Sequence, residues 1–235
     1  MTEPVRLVIH GASGRMGQAL LRLAAELPEV QVVAAVQRKV GQRVVEGVPF
    51  FAASELHGAP AFDVAIDFSL PEAFDAVLAL CVERGAGFVS GTTGLSDAQR
   101  AALEAASTRI PLLWAANFSL GVAVLDELVE RAAAALPGWD CDIVESHHTR
   151  KLDAPSGTAL ALGAAAGRGG VQPRYASIRA GDIVGEHLVQ FTTAGERLEL
   201  VHRAGNRDIF ARGALHAAVR LNGRPAGSHR LRDLL

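Results

Sequence analysis

Val5-Arg6-Leu7-Val8-Ile9-His10-Gly11-Ala12-Ser13-Gly14-Arg15-Met16-Gly17 passes from an aliphatic run into a glycine-rich turn. Its first half is β-branched and aliphatic, which predicts a strand over Val5–Ile9. A glycine-rich turn follows at once. Met16, Leu20, Leu23, Ala24 and Leu27 then recur at helical spacing until Pro28 stops them. Val30–Val36 predicts a second strand. Strand, glycine turn, helix and strand within about thirty residues make a βαβ unit, and such a unit opens a parallel sheet.

Glycines in this setting have distinct jobs: one permits a tight turn, one lets a phosphate approach the backbone, one lets helix and strand pack closely. The helix start then offers N–H groups to a pyrophosphate. Here the glycines fall at 11, 14 and 17, which departs from G-x-G-x-x-G. The position between a strand and a helix still points to a dinucleotide. An acidic residue for the adenine ribose belongs about twenty residues on. That place reads Val36-Gln37-Arg38-Lys39, with no carboxylate. Gln37 can bond a hydroxyl, and Arg38 and Lys39 can pair a 2′-phosphate. This favours NADPH over NADH, or tolerance of both; solvated loop charges are the competing reading.

Further strands are predicted at Pro49–Phe51, Val64–Phe68, Gly87–Ser90 and Pro111–Ala115. A helix is predicted over about Glu72–Glu83 with Gly85 as its stop, and Ser96-Asp97-Ala98-Gln99 has the form of a capping box. Gly91-Thr92-Thr93-Gly94 lies at a strand's carboxyl end, where open α/β sheets bind ligands. Asn117 suits a nicotinamide or ribose contact and equally a turn. Val122, Leu125, Leu128, Val129, Ala132 and Leu136 form one apolar stripe of a long helix, most of it core. Strand-rich texture follows: Asp140–Glu145, Tyr175–Arg179, Glu186–Thr193 and Arg197–His202, the last two joined by Ala194-Gly195-Glu196. Ile209–Leu221 is helical again, and the tail Leu231–Leu235 packs back on the first domain.

The chain has 235 residues, 49% of them hydrophobic, and a formal net charge of −2. That suffices for a substantial core and favours neither nucleic acid nor a membrane surface as partner. No basic start with an apolar stretch opens the chain, and no apolar run approaches the roughly 18 residues of a spanning helix. Cys81 and Cys141 sit in apolar runs and read as buried thiols. The expectation is a cytoplasmic protein.

Glu145-Ser146-His147-His148-Thr149-Arg150-Lys151-Leu152-Asp153-Ala154-Pro155-Ser156-Gly157-Thr158-Ala159 concentrates the polar chemistry. Ser156 reads as the N-cap of a helix over Gly157 to about Ala166, and a helix start there points N–H groups at an anion. His147 and Lys151 are side-chain types suited to proton and charge handling near neutral pH. Asp153 reads as structural, orienting the loop or pairing Lys151 or Arg150. A metal reading of His147-His148 is disfavoured, because consecutive residues rarely reach one ion. Arg207 is a domain-junction contact or surface charge.

With these residues quoted, the sequence resembles the dihydrodipicolinate reductase (4-hydroxy-tetrahydrodipicolinate reductase) family over essentially its whole length. The resemblance rests on Gly11–Gly17, Gly91–Gly94, Ala115–Ser119, Glu145–Ala159 and Arg179–His187. It implies an α/β fold: a Rossmann-like domain with a parallel sheet, from 1–118 and 208–235, and an inserted α+β domain, 119–207, for substrate and tetramerisation, with an open mixed sheet. It implies NAD(P)H-dependent reduction of a small dicarboxylate in the diaminopimelate route to lysine, by a homotetramer without a metal. Carried over residue by residue, His147 and Lys151 are catalytic, and His148, Gly157 and Thr158 bind substrate. Gly11, Ala12, Ser13, Gly14, Arg15, Met16, Arg38, Gly91, Thr92, Thr93, Ala115, Ala116, Asn117 and Phe118 bind the cofactor. Gln37 departs from the acidic residue of many members, and the 167–174 segment is short. The competing readings are another two-domain NAD(P)H dehydrogenase and a non-catalytic dinucleotide-sensing protein. The His147-His148-Lys151 run with Ser156-Gly157-Thr158 weighs against both.

Overall fold

The Val5–His10 strand (β1) lies at the centre of an eight-stranded sheet in the computed structural model, which describes residues 3–235. In chain order the other elements are α1 (Arg15–Ala24), β2 (Val30–Gln37), β3 (Val44–Val45), β4 (Val48–Ala52), β5 (Val64–Asp67), α2 (Pro71–Arg84), β6 (Gly87–Ser90), α3 (Asp97–Ser107) and β7 (Pro111–Trp114). They continue with α4 (Leu120–Ala135), β8 (Asp140–His147), α5 (Gly157–Arg168), β9 (Arg174–Arg179), β10 (Gly185–Thr193), β11 (Glu196–Ala204), α6 (Asp208–Leu221) and β12 (Gly227–Ser228). The chain divides into one unit that ends at Phe118 and resumes over Phe210–Leu235, and a second unit over Ser119–Ile209.

In the first unit the strand order is β12-β7-β6-β5-β1-β2-β4-β3. All neighbours are parallel except the β3–β4 pair. Every residue of β5 and β6 is buried, as central parallel strands require. Helix α2 starts with Pro71 at its first position and stops at Gly85, which takes φ +66°. Its Phe74 meets Phe88 of β6 edge to face, with ring centroids 5.7 Å apart. Each such ring, fully buried, contributes about 2–3 kcal/mol. Ser96 caps α3 by accepting from the Gln99 N–H. The C-terminal tail is a short 3-10 turn, Leu231–Leu234, whose Leu231 and Leu234 are buried.

In the second unit the order is β11-β10-β8-β9, antiparallel except for β8–β9, so the sheet is mixed. Strand β8 alternates strictly: Cys141, Ile143, Glu145 and His147 are buried, the residues between them half-buried. Cys141 and Ile143 pack with Val189 and Phe191 of β10 against Leu125, Val129 and Ala133 of α4 and Ala159, Leu162 and Ala166 of α5. The opposite sheet face carries Val144, Leu188 and Val201 in direct register across β8, β10 and β11. Val201 is 43% exposed, and Ile178 on β9, beside Ser146, is 48% exposed.

Two expectations need correction, and one strand was not expected. Leu128 is 44% exposed rather than core, because the buried face of α4 runs through Leu125, Val129 and Ala133. The β10–β11 link is the two-residue Ala194-Gly195 turn, with Gly195 at φ +82°, since Glu196 already pairs with Thr193. The strand β12 is absent from the sequence reading; two residues carry no periodicity.

Candidate active site

In the second unit the polar stretch begins on β8 and ends at the start of α5. Strand alternation turns Glu145 and His147 to the buried, helix-covered face. There the Glu145 carboxylate gathers donors from three segments. Arg179 of β9 binds it with two nitrogens, at 2.9 and 2.8 Å. The Ser156 N–H reaches it at 3.3 Å. His147 Nδ1 is its partner two residues along the strand. Burial alone would raise the Glu145 carboxyl, but the Arg179, Ser177 and His147 hydrogen bonds overcome it and hold it down at about 2. An ionised Glu145 has no proton to give, so His147 Nδ1 carries the hydrogen and Nε2 is left for other chemistry.

His147 Nε2 lies over Gly185, where an added Cβ would sit 3.1 Å from it. Lys151 follows one turn of loop later, its Nζ 2.8 Å from Asp153, the pairing the sequence offered as one of two. Ser156 caps α5 by accepting from the Ala159 N–H at 3.2 Å. Gly157 and Thr158 form the first turn of α5, and nothing lies within 4 Å of a Cβ built on Gly157. His148 Nε2 is 3.4 Å from Arg207. Burial, then the charges of Arg150 and Arg207, pushes the His148 imidazole below its usual range.

Two histidines, His187 buried and His202 half-buried, were not singled out from sequence. His187 Nε2 meets Ser156 Oγ at 3.3 Å, and the His187 ring lies 5.3 Å from that of His147. His202 Nε2 meets Ser119 Oγ, the cap of α4, at 3.3 Å. The Nδ1 atoms of His187 and His202 are buried with no partner. Burial, with the charges of His147 and His202, brings His187 down to about 4. Glu145 and Arg179 were also missed as a pair, since they lie 34 residues apart. The alternation Cys141, Ile143, Glu145, His147 was the one signal that put a carboxylate on the buried face.

In the first unit the glycine turn behaves as its composition implies. Gly11 takes φ +82°, and a Cβ on it would run into the Phe68 carbonyl. A Cβ on Gly17 would come within 2.5 Å of Ala12 Cα, so helix α1 packs directly on the turn. Gly14 caps α1 with no side-chain hydrogen bond to its first-turn amides, which leaves that end to an anion. Phe68 joins three of the predicted cofactor segments. It touches the Gly11 position, its ring fills the space where a Gly91 Cβ would be, and it stacks edge to face on Phe118 at 5.4 Å. Trp114 Nε1 donates to the Thr92 carbonyl at 2.8 Å, and the Ala115 N–H to that of Ser90 at 3.1 Å. Ala12 and Thr92 are buried, whereas Ser13, Gly14, Arg15, Thr93 and Ala116 are exposed and Met16, Gly91, Ala115 and Asn117 half-buried. Arg38 stands exposed just past the end of β2. Among the described residues no group of three or more His, Cys, Asp and Glu side chains is placed to hold a metal ion. Among them, too, no helix is long and apolar enough to cross a membrane.

The profile described as dihydrodipicolinate reductase, N-terminus, matches residues 5–118, and that described as dihydrodipicolinate reductase, C-terminus, matches residues 121–235. The chain is 80% identical over 234 residues to the 4-hydroxy-tetrahydrodipicolinate reductase of Stenotrophomonas maltophilia (strain K279a), covering 99% of this chain and 98% of that one. It is 73% identical to the enzyme of the same name from Xanthomonas axonopodis pv. citri (strain 306), over 100% of this chain and 99% of the other. A dipicolinate-bound dihydrodipicolinate reductase from Paenisporosarcina sp. TG-14 shares the fold, with a TM-score of 0.84 at 22% identity, covering 99% of this chain and 100% of that one. The chain therefore belongs to the dihydrodipicolinate reductase family, the NAD(P)H-dependent oxidoreductases of the diaminopimelate route to lysine.

Proposed function

We propose that the chain reduces 4-hydroxy-tetrahydrodipicolinate to tetrahydrodipicolinate with loss of water, taking NADPH in preference to NADH. The observation that carries this reading is the Glu145 carboxylate, which ties His147, Arg179 and the amide of Ser156 into one rigid cluster at the start of α5. That cluster holds His147 in one tautomer and ties its strand to the start of α5, where helix amides favour an anion.

The nicotinamide, when bound, supplies a hydride. Lys151, and His147 when its ring carries a proton on Nε2 as well as on Nδ1, supply the proton and balance the charge that develops on the ring; cations aimed at developing charge contribute several kcal/mol. Gly157 and Thr158 receive one carboxylate, where the positive end of α5 favours an anion and Gly157 leaves open space. His148 adds a contact to the same substrate. In the other unit the first-turn amides of α1 and the Gly11–Met16 turn take the pyrophosphate, with Gly91, Thr92, Thr93 and Ala115–Phe118 along the nucleotide. Arg38 faces the 2′-phosphate, a group its planar fork suits.

The enzyme works in the cytoplasm as a homotetramer, with residues 119–207 as its substrate and assembly domain. Support for assembly comes from the Val144-Leu188-Val201 row on the open sheet face, an apolar surface that a second copy would cover. The test is consumption of NADPH and of NADH on addition of freshly generated substrate. Turnover with NADPH exceeding that with NADH supports the whole reading. Turnover favouring NADH overturns only the role of Arg38, and no turnover with either overturns the assignment.

A further inference from the structure

Asp67, at the end of β5, is completely buried, and burying a carboxylate costs several kcal/mol unless donors converge on it. Four donors do. His10 Nδ1 from the end of β1 lies at 2.8 Å and the Ser69 N–H at 3.2 Å, both on one oxygen. Ser90 Oγ from the end of β6 lies at 2.9 Å and Thr92 Oγ1 at 2.7 Å, both on the other. The hydroxyls then turn and accept from the backbone: Ser90 Oγ from the Thr92 N–H at 3.2 Å, Thr92 Oγ1 from the Ser69 N–H at 3.1 Å. Each hydroxyl proton is committed to Asp67, and each hydroxyl oxygen holds a loop amide.

Stability alone does not call for this arrangement. A buried ion or hydrogen-bond pair can commonly be replaced by packed apolar residues at no loss, and the neighbours of His10 and Asp67 on the sheet, Ile9 and Ile66, are such residues. What the network does fix is the mutual position of three loops. His10 immediately precedes Gly11, Asp67 precedes Phe68, and Ser90 precedes Gly91-Thr92-Thr93.

We propose that His10, Asp67 and Ser90 are positioning residues for the nucleotide: their buried network sets the Gly91-Thr92-Thr93 loop against the glycine turn, so that affinity for the nicotinamide nucleotide depends on side chains that do not touch it. This rests on the nucleotide reading given above. The substrate residues lie in the other unit, so the effect falls on one ligand and spares the other.

The test is calorimetric binding of NADPH and, separately, of dipicolinate to the full chain and to His10→Ala, His10→Asn and Ser90→Ala. His10→Ala and Ser90→Ala each weaken NADPH about tenfold, the scale of one lost hydrogen bond to a charged group. Dipicolinate affinity stays within about twofold, because the residues read as its site belong to the other unit. His10→Asn, which keeps an N–H donor at the same place, recovers most of the loss. Unchanged NADPH affinity in the folded variants overturns the inference, and so does equal weakening of both ligands, which would mark a loss of stability only. If His10→Ala does not fold, Ser90→Ala decides alone by the same comparison. A wild-type chain that binds neither NADPH nor NADH overturns the nucleotide reading and this inference with it.

Discussion

His147 Nδ1 is hydrogen-bonded to the carboxylate of Glu145, two residues back on the same buried strand face. Glu145 is in turn held by Arg179 through two nitrogens. Replacing it with Gln removes the charge that fixes the His147 tautomer and leaves Arg179 without its counterion. Glu145→Gln is therefore expected to lower kcat by about 100-fold. It should also cost about 3 kcal/mol of stability, as for a buried pair with one partner removed. Steady-state rates together with thermal melts read both effects; a variant with wild-type kcat would remove Glu145 from the mechanism.

Lys151 and Asp153 are paired at 2.8 Å, but Asp153 is 60% exposed while Lys151 is 22% exposed. An exposed partner contributes little. Lys151→Ala should lower kcat by about 100-fold or more, and Asp153→Ala by no more than about threefold. Equal losses from the two would mean that the ion pair, rather than the cation, is what the site requires.

Gly185 leaves room for His147 Nε2, since a Cβ there would stand 3.1 Å away. Gly185→Ala is expected to lower kcat about tenfold while NADPH affinity holds, because the shift needed is a few tenths of an ångström at the reactive nitrogen. Direct nucleotide titration beside turnover separates the two.

His187 predicts the response of the second unit to acid. Its folded value, about 4, lies below the 6.5 of an unfolded histidine, because burial and then the charges of His147 and His202 disfavour the cation, against a smaller opposing pull from Glu145. The unfolded chain takes up the proton first. Stability is then complete above pH about 6.5 and falls by up to about 3 kcal/mol as pH drops to 4. Glu145 acts further down. Its carboxyl is held at about 2 against 4.5 unfolded, so that contribution is present above 4.5 and is lost as pH falls through 2. Melting curves of wild type and His187→Gln between pH 7 and 4 check this; the variant's dependence over that window should be flatter.

The sequence carried the elements whose signals are local. Gly11, Gly14 and Gly17 announced the turn and close helix packing that the structure displays. Ser96 and Ser156 announced two helix starts through their spacing, and both accept the expected amide. What escaped is non-local or too short to have a period. Glu145 with Arg179 spans 34 residues and His10 with Asp67 spans 57, and only strand pairing brings them together. Leu128 matched the apolar stripe of α4 by spacing alone, yet the helix buries a narrower face. His187 and His202 looked like ordinary strand residues until β10 and β11 paired and placed them opposite each other.

The most direct measurement is NADPH oxidation on freshly generated 4-hydroxy-tetrahydrodipicolinate, run side by side for wild type and His147→Gln. Turnover by the wild type is expected, with a kcat lower by about 100-fold in the variant and NADPH binding unchanged between them. A wild type that leaves NADPH unconsumed, or a variant that turns over as fast as the wild type, would contradict it.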